Sequence, residues 1–383
     1  MSVGQKTRVL IVDDSAFMRK VLQSIVAADP QMEIVGEARD GREAVSLNES
    51  LNPDVISMDI NMPHMDGLQA TEAIMARNPR PIVIVSSEAR DGAEPTLRAL
   101  ELGAIDFVPK PTNAIDLDMN SVREELCRKL KVASRVRVVR TIRNNNNGGG
   151  NNGGGNGTAP AAPAKPVASV SAPPSPANGA SEPGNGRFPI IVVAASTGGP
   201  QTLMNFVPMF PHDFLGAVIL VQHMPGTFTS QFAHQLAEVA KIRVKEAQHG
   251  EMVQPGVFYV CPGSHHLRIT PQGRIALDEG ERINGYRPCA DVTLETAAAY
   301  NGPMTTGVIL TGMGSDGAKG SQSVKACGGH VIAQDEVTSV IFGMPAEAIK
   351  TGAVDQVLGI DAIVPAVEKR VLYLMGAARV GAM

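Results

Sequence analysis

Short apolar segments alternate with amphipathic segments over the first third of the chain. The apolar runs have the length of strands, and the segments between them repeat apolar residues at the 3.6-residue period of a helix. Because two parallel strands need a crossover of about a dozen residues or more, this alternation predicts a doubly wound parallel sheet. The predicted strands cover residues 8–12, 33–35, 55–58, 82–85 and 105–108, and the predicted helices cover residues 15–28, 41–49, 67–77 and 94–102.

The last part of the chain repeats the same alternation and predicts a second, mostly parallel sheet of the α/β class. Its predicted strands cover residues 190–194, 218–222, 243–246, 257–260, 307–311 and 330–333, and its predicted helices cover residues 201–207, 229–239, 291–300, 318–327 and 362–374. Residues 248–276 carry Pro-Gly and glycine turn signals, so antiparallel hairpins are expected there.

Between the two halves lies a segment of asparagine, glycine, alanine and proline, residues 144–186. Such a composition offers almost nothing for a hydrophobic core, so we expect a disordered linker. The domains predicted on this basis are residues 6–127, a basic helix end with the linker at 128–186, and a second domain at 187–383.

Composition excludes several classes of protein. Hydrophobic residues make up 43% of the chain, but every apolar run is far shorter than the roughly 18–20 residues of a transmembrane helix. The formal net charge is −4, without the basic stripe that nucleic-acid binding needs. The four cysteines form no C-x-x-C pair, and the first residues show no signal-peptide pattern. We therefore expect a cytoplasmic protein without membrane insertion, nucleic-acid partner or structural zinc.

Acidic residues follow two of the predicted strands in the first domain. Asp13 and Asp14 end the first strand, and Asp59 ends the third. Carboxylates brought together at one edge of a sheet repel one another unless a cation joins them, and oxygen ligands suit Mg²⁺. An aspartate can also accept a phosphoryl group, whose oxygens Ser86 and Lys110 could bind from the ends of the next two strands.

These residues, in the motifs D-D, D-I-N-M-P, V-S-S and F-V-P-K-P, resemble the response-regulator receiver domain over nearly all of residues 6–127. The resemblance implies a flavodoxin-like fold with Asp59 as the phosphoacceptor. It also implies that Asp14, Asp59 and the carbonyl of Asn61 bind Mg²⁺ with support from Asp13. Ser86 and Phe107 would be the switch pair, where the family often has threonine and tyrosine.

Three glycine-flanked motifs of the second domain carry a serine, a histidine and an aspartate. Ser196 lies in A-S-T-G-G, His223 in Q-H-M-P and Asp316 in T-G-M-G-S-D-G, each after a predicted strand. A serine at a strand-to-helix turn could be a nucleophile, with the histidine as base and the aspartate orienting it. Each motif alone has a simpler interpretation, since S-T-G-G turns also bind phosphate or merely pack.

Together the three motifs resemble the catalytic domain of the chemotaxis protein-glutamate methylesterases over about residues 188–374. The resemblance implies a Rossmann-like three-layer domain in which Ser196, His223 and Asp316 are catalytic, without a cofactor. The backbone N–H groups of Thr197 and Met313 would form the oxyanion hole. One departure is Ala194, where the family usually has glycine. His265 and His266 are interpreted as loop residues near the site rim, and not as zinc ligands.

The two resemblances imply a phosphorylation-activated esterase of chemosensory adaptation. Its substrates would be glutamate methyl esters on chemoreceptors, and its phosphodonor would be the receptor-coupled histidine kinase. Some members of the family also deamidate receptor glutamines, and the sequence does not distinguish the two activities. Two alternatives remain open at this stage: a receiver-linked domain that only binds a partner, and a DNA-binding response regulator, which the charge disfavours.

Overall fold

The structure is a computed structural model that describes residues 6–86, 93–110, 119–136 and 187–380. The predicted linker, residues 144–186, lies outside the described residues. In the described part of the chain, two parallel sheets and one antiparallel hairpin are present. The prediction of an α/β fold with two parallel sheets is therefore confirmed.

The first sheet contains, among the described residues, five parallel strands in the order β2-β1-β3-β4-β5. Helices connect these strands, as crossovers between parallel strands require. The strands are β1 (Thr7–Val12), β2 (Met32–Ala38), β3 (Val55–Met58), β4 (Ile82–Ser86) and β5 (Asp106–Pro109), and the helices are α1 (Ala16–Ala27), α2 (Gly41–Leu51), α3 (Gly67–Arg77), α4 (Ala93–Glu101) and α5 (Met119–Ala133).

The apolar runs of this sheet form its core. Residues 9–12 of β1 are fully buried, as expected for a central strand that is covered on both faces. Polar residues mark where helices begin: Asp66 accepts a hydrogen bond from the backbone of Gln69 in a capping box that starts α3. The strand bounds place four predicted site residues at the carboxyl ends of strands, the edge where α/β sheets bind ligands: Asp13, Asp59, Ser86 and Lys110.

The second sheet contains, in the described ranges, seven parallel strands in the order β14-β13-β12-β6-β7-β9-β8. Two further strands, β10 (His266–Ile269) and β11 (Ile275–Asp278), pair as an antiparallel hairpin, where the turn signals predict one. The strands of the sheet are β6 (Ile190–Ala195), β7 (Ala217–Gln222), β8 (Arg243–Glu246), β9 (Val257–Val260), β12 (Thr305–Ile309), β13 (His330–Gln334) and β14 (Gln356–Leu358).

Helices cover this second sheet, and two elements escape sequence-based prediction. Helix α10 is only seven residues long and β14 only three, too short for a periodic pattern to emerge. Strand β12 begins at Thr305, two residues before its predicted start, because its first residues are threonines that pair with β6. The helices are α6 (Gly199–Phe206), α7 (Gly226–Val239), α8 (Ala290–Asn301), α9 (Ala318–Ala326), α10 (Met344–Lys350) and α11 (Ile360–Val380). None of the described helices is long and apolar enough to cross a membrane.

Among the described residues, the two sheets belong to one compact unit. Helix α4 of the first domain packs against α6 and α7 of the second. The rings of Phe107 and Phe228 meet across this contact with their centroids 4.6 Å apart. The first domain thus lies against the two helices that begin beside Ser196 and His223.

Candidate active site and phosphoacceptor pocket

Ser196, His223 and Asp316 lie at the ends of three adjacent central strands. Ser196 follows β6, His223 follows its neighbour β7, and Asp316 lies in the loop after β12 on the other side of β6. The backbone N–H of His223 donates to the carbonyl of Ala195 at 3.0 Å, and that of Ser196 donates to Thr311 at 3.0 Å. Sheet pairing therefore brings the ends of these three strands together, although Ser196 and His223 lie 27 residues apart in the sequence and His223 and Asp316 lie 93 apart.

The imidazole of His223 uses only one of its two nitrogens in hydrogen bonds to the described residues. Its Nε2 lies 2.7 Å from Oδ2 of Asp316. Its Nδ1 is buried and, among the described residues, has no hydrogen-bond partner. A buried nitrogen without a partner is costly, so such an atom often marks a functional group. Here it is the ring nitrogen that Asp316 does not engage.

The carboxylate of Asp316 sits at the N-terminus of helix α8. Its Oδ2 accepts the N–H of Ala290 at 2.7 Å, and its Oδ1 accepts the N–H of Asp291 at 2.9 Å. Free N–H groups and the dipole at a helix N-terminus stabilise an anion. Burial alone would raise the pKa of Asp316, but the hydrogen bond and charge of His223 and these N–H donors outweigh burial and lower it. Asp316 is thus held ionised beside the imidazole.

A second buried carboxylate, Asp291, supports the loop that carries Asp316. Its Oδ1 accepts the N–H of Gly317 at 2.9 Å and that of Gly320 at 2.6 Å, at the start of helix α9. Burial, together with the charge of nearby Asp316, raises the pKa of Asp291 to about 6. The thiol of Cys289 donates to Oδ1 of Asp316 at 3.1 Å, and burial raises the pKa of this thiol. Neither residue is predicted from the sequence as part of the site, since neither stands in a motif with known chemistry.

The ring of Tyr286 is stacked on the imidazole of His223. The ring centroids are 4.2 Å apart, and the ring planes differ by only 13°. Tyr286 is not predicted from the sequence as a site residue, although a signal precedes it: Asn284-Gly285 is a preferred pair for a tight hairpin turn. The turn could have been predicted, but not the histidine on which it places the tyrosine.

The predicted oxyanion-hole residues lie on either side of Ser196. Thr197 follows Ser196 directly, at the turn that opens α6, and Met313 follows Gly312 in the loop after β12. A Cβ on Gly312 would lie 2.8 Å from the Cβ of Ser196, so only glycine lets this loop approach the serine so closely. Both backbones are therefore near Ser196, as an oxyanion hole requires.

Gln222 joins the backbones of the serine and the histidine. Its Nε2 donates to the carbonyl of Ser196 at 3.0 Å and to its neighbour His223 at 3.1 Å. The side chain is 1% exposed, so these bonds are shielded from water. Gln222 thereby fixes the spacing between the ends of β6 and β7.

In the first domain, Lys110 bridges two buried aspartates. Its Nζ lies 2.9 Å from Oδ2 of Asp13 and 2.7 Å from Oδ2 of Asp59. Burial raises the pKa of Asp59 to about 6, to which the charge of Asp13 contributes, while Lys110 opposes the rise. Burial would lower the pKa of Lys110, but the two aspartates outweigh it and raise the pKa.

The same pocket has the donor set of a hard divalent cation. Asp13, Asp14 and Asp59 place carboxylate oxygens within 4.8 Å of one another, with Asp13 and Asp59 buried and Asp14 exposed. Asn61 lies two residues after Asp59 on the exposed rim. Carboxylate oxygens, one of them open to solvent, suit Mg²⁺, which keeps several waters and prefers oxygen ligands. The residues present fit this ion.

The predicted switch residues lie between this pocket and the second domain. The hydroxyl of Thr96 on α4 donates to Oγ of buried Ser86 at 3.0 Å. Phe107 is 3% exposed and packs against Phe228 of α7. Its neighbour Asp106 accepts a hydrogen bond from the hydroxyl of Thr197 at 2.5 Å. Ser86 is therefore bonded to the helix that packs against the second domain, and Phe107 contacts that domain directly.

His265 and His266 do not join the active site through any described contact. His265 lies 3.1 Å from the carboxylate of Glu279 on the surface, and His266 is buried at the start of β10. Neither belongs to a group of side chains in the described part that could hold a metal ion.

The fold and the two sites define a class of protein: a response regulator whose receiver domain is joined to a hydrolase domain. The family described as response regulator receiver domain matches residues 9–120, and the family described as CheB methylesterase matches residues 191–367. The chain belongs to the protein-glutamate methylesterase/protein-glutamine glutaminase family, as its similarity over nearly its full length to relatives of that name shows. It is thus classed with hydrolases that act on carboxylic esters.

Two relatives and one solved structure give the extent of this similarity. The protein-glutamate methylesterase/protein-glutamine glutaminase of Pyrococcus horikoshii is 42% identical over 389 residues, which cover 99% of this chain and 97% of that one. The protein of the same name from Symbiobacterium thermophilum is 42% identical over 96% of this chain and 98% of its own. The CheB methylesterase catalytic domain of Thermotoga maritima is 42% identical with a TM-score of 0.46, covering 49% of this chain and 99% of that domain.

Proposed function

We propose that this protein hydrolyses glutamate methyl esters on chemoreceptors, releases methanol, and is activated by phosphorylation of Asp59. The setting would be the cytoplasm, and the output would be chemosensory adaptation. The two-domain organisation supports the regulatory half of the proposal. The names of the relatives support the substrate class.

The observation that carries the hydrolytic half is the state of His223. One ring nitrogen is bound to the ionised Asp316, and the other is buried and, in the part of the chain that the structure describes, has no hydrogen-bond partner. The histidine follows β7, the neighbour of the strand that ends at Ser196. In the proposed reaction His223 accepts the proton of the Ser196 hydroxyl as its oxygen attacks the ester carbonyl. The backbone N–H groups of Thr197 and Met313 would stabilise the oxyanion. Methanol leaves with the proton from His223, and water then hydrolyses the acyl-enzyme.

We extend the proposal to glutamine side chains because the relatives are also named protein-glutamine glutaminases. The same steps convert an amide to a carboxylate, with ammonia in place of methanol as the leaving group. A receptor segment with both a methylated glutamate and a glutamine would report both activities in one mass spectrum.

The phosphoacceptor pocket would control this activity. Asp59 is the proposed phosphoacceptor, Lys110 and Ser86 would bind phosphoryl oxygens, and Phe107 would respond with Ser86. Mg²⁺ would be held by Asp14, Asp59 and the carbonyl of Asn61, with Asp13 in support. When bound, the ion neutralises negative charge between the carboxylates and the phosphoryl group. The phosphodonor would be the receptor-coupled histidine kinase.

The deciding experiment incubates the full chain with membranes that contain methyl-labelled chemoreceptors. Released methanol is measured with and without acetyl phosphate and Mg²⁺. We expect release from the wild-type protein, a higher rate with acetyl phosphate, and none from Ser196→Ala. Binding to the membranes without methanol release would favour a domain that only binds a partner. Retention of the wild-type rate by Ser196→Ala would contradict the proposed nucleophile.

A further inference from the structure

The stacked pair of Tyr286 and His223 is built by three separate features of the chain. Asn284 and Gly285 have φ angles of 51° and 84°, the left-handed values of a two-residue hairpin turn. On either side of this turn, Ile283 and Tyr286 exchange backbone hydrogen bonds of 3.0 and 2.9 Å. The turn therefore fixes the backbone of Tyr286 at the place from which its ring reaches the imidazole.

The third feature is a glycine that makes room for the tyrosine hydroxyl. A Cβ on Gly314 would lie 2.3 Å from Oη of Tyr286, and Gly314 has a φ of 95°, which other residues rarely adopt. Gly314 stands in the loop that carries Met313 and Asp316. The tyrosine thus fits closely between the imidazole and the loop of the proposed oxyanion hole.

His223 needs such a contact because its hydrogen bonds do not fix its ring plane. Its hydrogen bond from Nε2 to Asp316, the one side-chain bond of this ring among the described residues, engages one corner of the ring, so small rotations about χ1 and χ2 can still change the ring plane. Rotation would turn Nδ1 away from the end of β6, where Ser196 stands. A ring stacked within 13° of parallel restricts this rotation.

The aromatic face also suits the charge that the histidine gains. The electron-rich face of a tyrosine attracts a cation placed over it. When His223 takes the proton of Ser196, its ring becomes an imidazolium between the Tyr286 face and the Asp316 carboxylate. The contact is therefore stronger in the transition state than in the resting enzyme, which is the condition for raising kcat.

We propose that Tyr286 is a positioning residue that fixes the ring plane of His223 and stabilises its protonated form during ester hydrolysis. This inference rests on the proposed function in so far as His223 acts as the base. The stack itself can be measured without any substrate.

Two substitutions separate the aromatic face from the hydroxyl. Tyr286→Phe keeps the ring and loses only the hydroxyl, whereas Tyr286→Leu removes the ring. Tyr373→Leu is the matched control, because Tyr373 on α11 is 71% exposed and lies 150 residues from His223 in the sequence. The full chain, treated with acetyl phosphate and Mg²⁺, is assayed on a small generic ester, and kcat and KM are determined separately.

We expect Tyr286→Leu to lower kcat roughly tenfold, with KM changed less than about twofold, as the upper range for an aromatic pair suggests. Tyr286→Phe and Tyr373→Leu should stay within about twofold of the wild type. A wild-type kcat in Tyr286→Leu would overturn the proposal. So would a loss in Tyr286→Phe equal to that in Tyr286→Leu, since the hydroxyl and not the ring would then matter.

The second measurement is nuclear magnetic resonance of the full chain labelled in its histidine rings. Of the eight histidines, the signal of His223 is the one that disappears in His223→Gln. In the wild type we expect this signal to carry the upfield ring-current shift of a stacked aromatic, retained in Tyr286→Phe and lost in Tyr286→Leu. Its absence in the wild type would overturn the proposal whether or not the variants fold. Absence of ester hydrolysis with the shift present would instead contradict the proposed function.

Discussion

The hydroxyl of Thr197 donates a hydrogen bond to Oδ2 of Asp106, and the two oxygens lie 2.5 Å apart. Thr197 follows the proposed nucleophile, and Asp106 precedes the proposed switch residue Phe107. Oδ1 of Asp106 in turn accepts a hydrogen bond from Lys129 of α5 at 3.0 Å. One buried carboxylate of the receiver domain is therefore bonded to the turn that would form the oxyanion hole.

We propose from this bond that the unphosphorylated receiver domain holds the esterase inactive by docking against it. A contact can inhibit only if it differs between the two states of the switch. Ser86 is bonded to Thr96 of α4, the helix that packs against α6 and α7. Movement of Ser86 toward a phosphoryl group on Asp59 would break its bond to Thr96. It would thereby change the face of α4 that packs against α6 and α7.

We expect Asp106→Ala to raise the methanol-releasing activity of the unphosphorylated full chain. A hydrogen bond to a charged group contributes about 1.5–3 kcal/mol, so its loss should weaken docking by one to two orders of magnitude. The rate should approach that of residues 187–383 alone. Asp29→Ala is the matched control, because Asp29 pairs with Lys131 inside the receiver domain.

Two outcomes would count against this mechanism. An unchanged basal rate in Asp106→Ala would remove this bond from the inhibitory contact. Equal rates for residues 187–383 and the unphosphorylated full chain would remove autoinhibition altogether. The receiver domain would then act only by activating the enzyme or recruiting it to its receptors.

The pattern of the sequence predicts the two sheets because each strand is a continuous apolar run between helical segments. Helix α3 has its predicted bounds, residues 67–77, since Asp66 and Gln69 cap it locally. Elements that depend on distant partners are missed. Strand β14 has only three residues, which are largely exposed, and its extended conformation depends on pairing with β13.

In the candidate active site, too, residues in local motifs are predictable and residues placed by distant contacts are not. Ser196, His223 and Asp316 are predictable because each stands in a glycine-flanked motif after a strand. Tyr286 and Asp291 are not, because their positions follow from the hairpin turn and from helix α8 packed beside α9. Thr197 is predicted for its backbone, but its hydroxyl bond to Asp106 joins two domains, and no local signal indicates it.

We expect Ser196→Ala and His223→Ala to abolish methanol release. Loss of a triad serine or histidine can lower turnover by a factor on the order of 10⁶, because the three side chains of a triad act as a unit and the other two contribute little without the third. The measurement is release of labelled methanol from receptor membranes, and circular dichroism checks that the fold is retained. Even a tenth of the wild-type rate in Ser196→Ala would exclude this serine as nucleophile.

Substitution of Asp59 should remove phosphorylation and leave basal hydrolysis intact. Asp59→Asn keeps the shape of the side chain but loses the nucleophilic carboxylate, so acetyl phosphate should no longer stimulate the esterase. Mass spectrometry of the intact protein should show no acid-labile phosphate. Asp54→Asn is a suitable control, because Asp54 precedes β3 and accepts the backbone N–H of Arg8 at 2.8 Å, a bond that an amide oxygen can keep. Phosphate on Asp59→Asn equal to the wild type would contradict the assignment.

Removal of Mg²⁺ should abolish stimulation through the phosphoacceptor pocket without affecting hydrolysis at the esterase site. With a chelator present, acetyl phosphate should fail to stimulate the enzyme, since the pocket of Asp13, Asp14 and Asp59 would lack the cation that offsets its charge. Residues 187–383 should keep their rate, as the proposed reaction there needs no metal. A fall of that rate with chelator, restored by Mg²⁺, would show that the esterase site itself depends on the ion.

Asp291 should make the stability of the protein depend on pH in a direction opposite to that of a typical carboxylate. Its pKa is raised from 3.8 to about 6 by burial first and then by the charge of Asp316. Between these two values the folded protein binds the proton more tightly than the unfolded chain does. The contribution of this group to the free energy of unfolding therefore falls as the pH rises through this window.

Asp291→Asn should relieve this cost above pH 6. The amide oxygen can still accept the N–H groups of Gly317 and Gly320, which share one oxygen in the wild type, Oδ1. Relative to the wild type, the variant should gain about 1–3 kcal/mol in the free energy of unfolding on going from pH 5 to pH 8. The comparison is the difference between the two proteins in thermal midpoint at each pH, which cancels the titration of all other groups. A difference that is the same at both values would mean that Asp291 titrates alike in the folded and unfolded chains.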